Sequence, residues 1–170
     1  ATEYLYQLGH RKIAYLGVDN SLVFSADRRN GYQLALTRHG IVPKPEYCVE
    51  LPSITAGEDT PVHALLRSAS RPTAIVVSDD ILALTLERIC TETGLSIPAD
   101  LSILSFNNSL FARLTSPQLT SIDINSCQLG MEAAAQMISH IENPGLPATK
   151  ILVPHQLIER DSCARPASHE

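Results

Sequence analysis

Two hydrophobic periods alternate along the chain. Lys12–Val18 (KIAYLGV) and TAIVV (73–77) are short, nearly continuous apolar runs, the pattern of strands buried on both faces. Between such runs apolar residues recur at helical spacing. Tyr4, Leu5 and Leu8 share one face of a helix over residues 1–8, with Gly9 as its stop. After the loop DNSLVFS, Ser25 is placed to cap a second helix, with Asp27 in its first turn. Tyr32, Ala35, Leu36 and His39 form its stripe and Gly40 closes it. Thr60-Pro61 opens a third helix, with Val62, Leu65, Leu66 and Ala69 on its apolar side. A fourth helix is predicted from Ser78-Asp79-Asp80 to Gly94, and a long one from about Ser126 to Glu142, stopped by Asn143-Pro144-Gly145. The remaining predicted strands are Tyr47–Leu51, Leu101–Phe106, Leu119–Ile124, Lys150–Val153 and Gln156–Arg160.

Strands alternating with helices of a dozen or so residues predict an α/β fold, an open mostly parallel sheet with helices on both faces. No internal repeat or low-complexity tract interrupts it. A chain of 170 residues suits one domain, which buries about 68–70% of its unfolded surface without staples.

Composition narrows the function. With 13 Lys+Arg against 18 Asp+Glu the net charge is −5, and aromatics make up 5%, so these residues carry no electrostatic footprint for nucleic acid. Cys48, Cys90, Cys127 and Cys163 form no C-x-x-C pair, which predicts reduced thiols in a cytoplasmic protein. No apolar run approaches the roughly 20 residues of a membrane span. The chain opens at Ala1 directly in helix-like sequence, as expected of a fragment of a longer protein.

In open parallel sheets ligands bind beyond the carboxyl ends of the strands. The residues predicted there are Asp19, Asn20 and Arg28 after the first strand, Ser78, Asp79 and Asp80 after TAIVV, and Asn107, Asn108 and Ser109 after LSILSF. Carboxylates, amides and a guanidinium offer paired donors and acceptors in a plane, a chemistry for vicinal hydroxyls of sugars. The plainer alternative is that the aspartates cap a helix and the asparagines shape a turn. G-x-S-x-G, H-E-x-x-H, G-x-x-x-x-G-K-[ST] and G-x-G-x-x-G are all absent, and the six histidines show no ligand spacing. An Asp79/Asp80 pair could hold Mg²⁺ for phosphoryl transfer. Such a site wants a nearby lysine, and only Lys44 lies between Lys12 and Lys150. No catalytic residue, cofactor or metal is expected.

LGHRKIAYLG (8–17), RPTAIVVSDDILAL (71–84), GLSIPADLSILSFNNS (94–109), SPQLTSIDI (116–124) and LG-x-x-A (129–133) occur in this order. Together they resemble the effector-binding region of the lac-repressor (LacI/GalR) family of transcriptional regulators, over nearly the whole chain. SFNNS followed by LTSIDIN is most similar to the maltose-operon regulators of that family. The resemblance implies a two-lobed, periplasmic-binding-protein-like clam preceded by a helix-turn-helix domain. This chain would supply the C-terminal lobe (9–124 and 150–165), helix 126–142 would belong to the missing N-terminal lobe, and the DNA-binding domain would lie outside the chain.

The resemblance further implies a sugar-sensing, dimeric repressor that touches operator DNA only through that missing domain. Arg28 matches the arginine that grips the sugar hydroxyls. Asp79 stands where many members have asparagine and Asn107 where many have aspartate; Asn20 and Asp80, placed by their strand ends, complete the candidate effector site. Ser53, Ile54, Leu84, Leu110, Phe111 and Leu114 match positions of the dimer interface. A maltose-like α-glucoside is the implied effector. A secreted solute-binding protein of the same fold and the Mg²⁺-dependent phosphotransfer enzyme are the alternatives.

Overall fold

One six-stranded sheet organises the computed structural model, which describes residues 1–18, 23–52 and 60–167. Its strands are β1 (Ile13–Val18), β2 (Cys48–Leu51), β3 (Ala74–Val77), β4 (Ser102–Phe106), β5 (Thr120–Asp123) and β6 (Gln156–Ile158), in the order β2-β1-β3-β4-β5-β6. The first five run parallel and β6 returns antiparallel along β5, pairing Ile122 with Leu157. The helices are α1 (Thr2–Gln7), α2 (Val23–Arg38), α3 (Thr60–Arg67), α4 (Asp80–Thr93), α5 (Leu110–Leu114) and α6 (Ser126–Glu142).

Every residue of β1 and β3 is buried, as their continuous apolar runs require. Alternate side chains divide between two cores. Ala14, Leu16, Val18, Ile75, Val77 and Ile103 pack with α3 and α4, while Ile13, Tyr15, Ala74, Val76 and Leu104 pack with α1 and α2. Gly17 belongs to this packing, since a Cβ there would meet the Tyr15 ring at 2.6 Å. That ring stacks on Tyr32 with centroids 5.6 Å apart, and its hydroxyl donates to the Ser25 carbonyl.

Two buried polar clamps hold the layers in place. Asp80 is 1% exposed, yet its carboxylate accepts from Ser105 Oγ at 2.5 Å, Ser121 Oγ at 2.9 Å and the Ser109 amide at 2.6 Å. It therefore ties the start of α4 to β4, β5 and the turn entering α5. At the opposite edge of the sheet, buried His10 spans Thr73 Oγ1 and the Ala164 carbonyl, each at 2.9 Å. The C-terminal segment is stitched down by Ser162, whose hydroxyl donates to the Ile103 carbonyl and accepts from the Thr120 amide.

Three local expectations change. Lys150–Val153 is not a strand; it has no ladder partner, and Ile151 and Leu152 stay exposed. Ser25 lies inside α2, which already runs at Val23; its buried hydroxyl donates to the Val18 carbonyl instead of capping. Leu110–Leu114 forms a short helix where no element was expected.

Asp80→Ala should cost roughly 3–5 kcal/mol in urea denaturation, because three buried donors lose a charged acceptor. Burial, the dominant cause, lowers the His10 pKa below 6.5. The unfolded chain then binds the extra proton first. Stability is full above about pH 6.5 and falls as the pH drops below it. Urea midpoints measured between about pH 7 and pH 5 should fall less in His10→Gln than in the parent chain.

Candidate functional site

The chain leaves β1 to one side for β2 and returns on the other side for β3, so a crevice opens at the carboxyl ends of these strands. One hydrogen-bonded series lines it. Arg28, carried by α2, donates from Nη1 to the Ser78 carbonyl at 2.5 Å and from Nη2 to Asn107 Oδ1 at 3.1 Å. Asn107 Nδ2 donates to Asp79 Oδ2 at 2.6 Å. The other Asp79 oxygen accepts from the Ile81 amide at 2.7 Å and caps α4. Capping and site-building, alternatives in the sequence, are here performed by the same carboxylate.

Arg28 is held from its flanks as well. Its guanidinium lies over the Phe106 ring, 4.5 Å from the centroid, and 5.2 Å from that of Phe24. Burial lowers its pKa and Asp79 opposes that shift, while a guanidinium stays charged at any working pH. Of its five N–H donors the two bonds leave others for a ligand. Asp27 makes no ion pair with it among the described residues. Arg29 turns instead to Glu50, 3.4 Å away.

A second cluster adjoins the first through the next residue of the β4 turn. Asn107 and Asn108 both have positive φ, 96° and 46°, a conformation that asparagine tolerates better than most side chains. The turn aims Asn108 away from Arg28. Its Nδ2 donates to Asp123 Oδ2 at 2.9 Å, and its Oδ1 accepts from Arg160 Nη2 at 2.5 Å. Arg160 Nη1 also donates to the Leu119 carbonyl. The Asn108 amide, with the Asn125 N–H, holds the Asp123 carboxyl below its ordinary range.

The structure thus brings Arg28, Asp79 and Asn107 together. Asp80 is adjacent in sequence but faces inward, its carboxylate taken up by Ser105, Ser121 and Ser109 as an anchor of the fold. The two aspartates serve different partners instead of converging, and no group of three or more His, Cys, Asp or Glu among the described residues could hold a metal. Asn20, Ser53 and Ile54 lie outside the described residues. Leu110, Phe111 and Leu114 are exposed at 65%, 43% and 70%, beside half-buried Leu84 and exposed Ile81. Sequence reasoning missed Phe24, Phe106, Asp123 and Arg160. The signal for Asp123 was the carboxylate ending the SIDI strand; Arg160, 52 positions from Asn108, left none.

A family model for the periplasmic binding protein-like domain matches residues 2–163. The ribose operon repressor of Haemophilus influenzae is 33% identical over 144 residues, 85% of this chain and 43% of its own length. The transcriptional regulator LacI from Bacillus cereus subsp. cytotoxis superposes with a TM-score of 0.91 at 36% identity, covering 98% of this chain and 59% of that one. A LacI-family regulator from Enterococcus faecium with bound ribose gives 0.84 at 29% identity, covering 98% and 61%. The chain spans about half the length of the curated relatives it matches. These relatives are named as transcription regulators, proteins that act by binding rather than by catalysis.

Among the described residues, the Asn107 side-chain amide is what links Arg28 to Asp79. Asn107→Asp should set two carboxylates against each other and lower stability by about 1–3 kcal/mol. Asp79→Asn in the same chain should recover most of that loss. A double-mutant cycle in urea checks this by its coupling energy.

Proposed function

The chain belongs to the periplasmic binding protein-like domain family, in the form carried by LacI-type regulators, and from that premise we propose that it is the sugar-sensing part of a transcriptional repressor. The observation that carries this reading is the Arg28–Asn107–Asp79 series at the mouth of the crevice. The charges of Arg28 and Asp79 offset each other across one amide, which suits a neutral polyol better than an ion. A guanidinium fork and a carboxamide plane each pair with two adjacent hydroxyls. The neighbouring Phe24 and Phe106 rings offer apolar faces to the sugar's C–H side.

The effector we assign is maltose or a related α-glucoside, supported by the SFNNS and LTSIDIN resemblance. Ribose is the competing reading, favoured by relatives named for it or solved with it. Residues 9–124 and 150–165 would form one lobe of a clam, with helix 126–142 packed on the other. The absence of any buried residue on α6, with Met137, Ile138 and Ile141 all more than half exposed, supports that assignment. The exposed Ile81, Leu110, Phe111 and Leu114, with half-buried Leu84 beside them, support a homodimer through this face. Operator DNA would be met by a separate N-terminal domain in the cytoplasm.

Calorimetry on the full-length protein with maltose, ribose, galactose and a purine tests this. Maltose should bind, and Arg28→Ala should weaken it by about one to two decades through the lost charge-assisted hydrogen bonds. Arg29→Ala, which removes only the pair with Glu50, should stay near the parent affinity. Wild-type affinity in Arg28→Ala overturns the site; binding of ribose alone overturns the α-glucoside.

A further inference from the structure

At the amino ends of the strands, opposite the crevice, the segments entering β1, β3 and β4 line a half-open pocket of about 510 Å³. That volume falls in the range of small-molecule sites. Its charged lining comprises Arg11, Lys12, Arg71 and Asp100, three cations against one anion on a chain whose net charge is −5. The cations come from different elements: Arg11 and Lys12 precede β1, and Arg71 precedes β3. A strand of six residues at about 3.3 Å each separates this cavity from the sugar crevice by about 20 Å.

The local bonding leaves donors unused. Arg71 lies 3.5 Å from Asp100, so that pair is internally compensated. Arg11 stacks on Tyr6 at 3.8 Å and donates from Nη1 to the Tyr6 and His10 carbonyls, which leaves Nη2 without a hydrogen bond among the described residues. The Lys12 ammonium has no hydrogen bond or ion pair among the described residues. Buried His10, spanning Thr73 and Ala164, forms the floor of the cavity and holds its two walls together. The floor is hydrogen-bonded across, the rim is cationic, and the Lys12 ammonium has no ion-pair partner among the described residues.

We propose that this cavity is a second ligand site, for a small phosphate-bearing anion, separate from the sugar crevice. Lys12 supplies a point charge and Arg11 and Arg71 supply planar donors, the combination that suits a dianionic phosphate. In a concave, partly enclosed rim the field of these cations is focused rather than spread over open surface.

The test is an NMR titration of this chain with glycerol 3-phosphate and with inorganic phosphate, with glycerol as the neutral control. Shifts should concentrate at residues 9–12, 71–73 and 98–100. Binding should weaken as salt rises, and by about tenfold or more in Lys12→Gln. Lys150→Gln, far along the chain, should match the parent, and glycerol should shift nothing. The idea fails if phosphate shifts map instead to Asn107 and its neighbours, or if glycerol shifts the same amides. It fails equally if Lys12→Gln and Arg71→Gln both bind as the parent does, or if a single-stranded oligonucleotide displaces glycerol 3-phosphate at lower concentration. The mapping on the parent chain decides the matter even if a variant does not fold.

Discussion

A buried carboxylate governs the geometry of the crevice. Asp80 sits at the first turn of α4 with no access to water, a position that an unpaired charge could not hold. Its three donors come from β4, β5 and the entrance to α5, so the cost of burial is offset only when all of these are in register. The neighbours on either side of these contacts are the site residues. Asp79 precedes the anchor, and Asn107 and Asn108 lie between Ser105 and Ser109. Fixing Asp80 therefore fixes the backbone from which the ligand-facing groups project, without Asp80 itself facing the ligand.

On this frame the site balances its charge across a neutral amide. Arg28 meets a neutral amide rather than a carboxylate, and the carboxylate lies one bond further on at Asp79. Here the amide stands between the two charged groups, its oxygen accepting from the guanidinium while its nitrogen donates to the carboxylate. Two carboxylates in hydrogen-bond contact would repel, and two amides would leave the guanidinium unbalanced. The pair of positions is thus coupled, and the identity of one constrains the other.

Much of this was legible in the sequence because it is local. KIAYLGV and TAIVV are apolar on both faces and became the central buried strands; Asp79 and Asn107 closely follow strands and Arg28 rides on the helix after β1, so a parallel sheet brings them to one edge. What stayed hidden depends on non-local packing. Acidic neighbours such as Asp79 and Asp80 read alike in sequence, yet a single step around the first turn of α4 sends one to the crevice and the other to the core. Lys150–Val153 is apolar and β-branched enough to read as a strand, but no neighbouring strand offers a ladder. Arg160 reaches Asn108 only because the chain returns antiparallel along β5, a topology that no short spacing signals.

The turn after β4 also links the crevice to α6. Asn108 bonds Asp123, whose second oxygen accepts from the Asn125 amide at the head of that helix. Asn125 itself adopts the left-handed conformation, φ 54°, so the turn into α6 is set by a short, specific contact rather than by a packed core. A 17-residue helix with no buried side chain gains little from tertiary packing, which is where most helical stability arises. Its orientation on this body therefore rests on the Asp123–Asn125 turn and the polar groups behind it. Those groups adjoin the site through consecutive residues of one turn, Asn107 facing Arg28 and Asn108 facing Asp123. A twist at Asn107 cannot leave Asn108 unmoved, since both occupy sterically restricted backbone conformations with their amides already bonded. The edge of the crevice and the root of the exposed helix are thus two sides of a single turn.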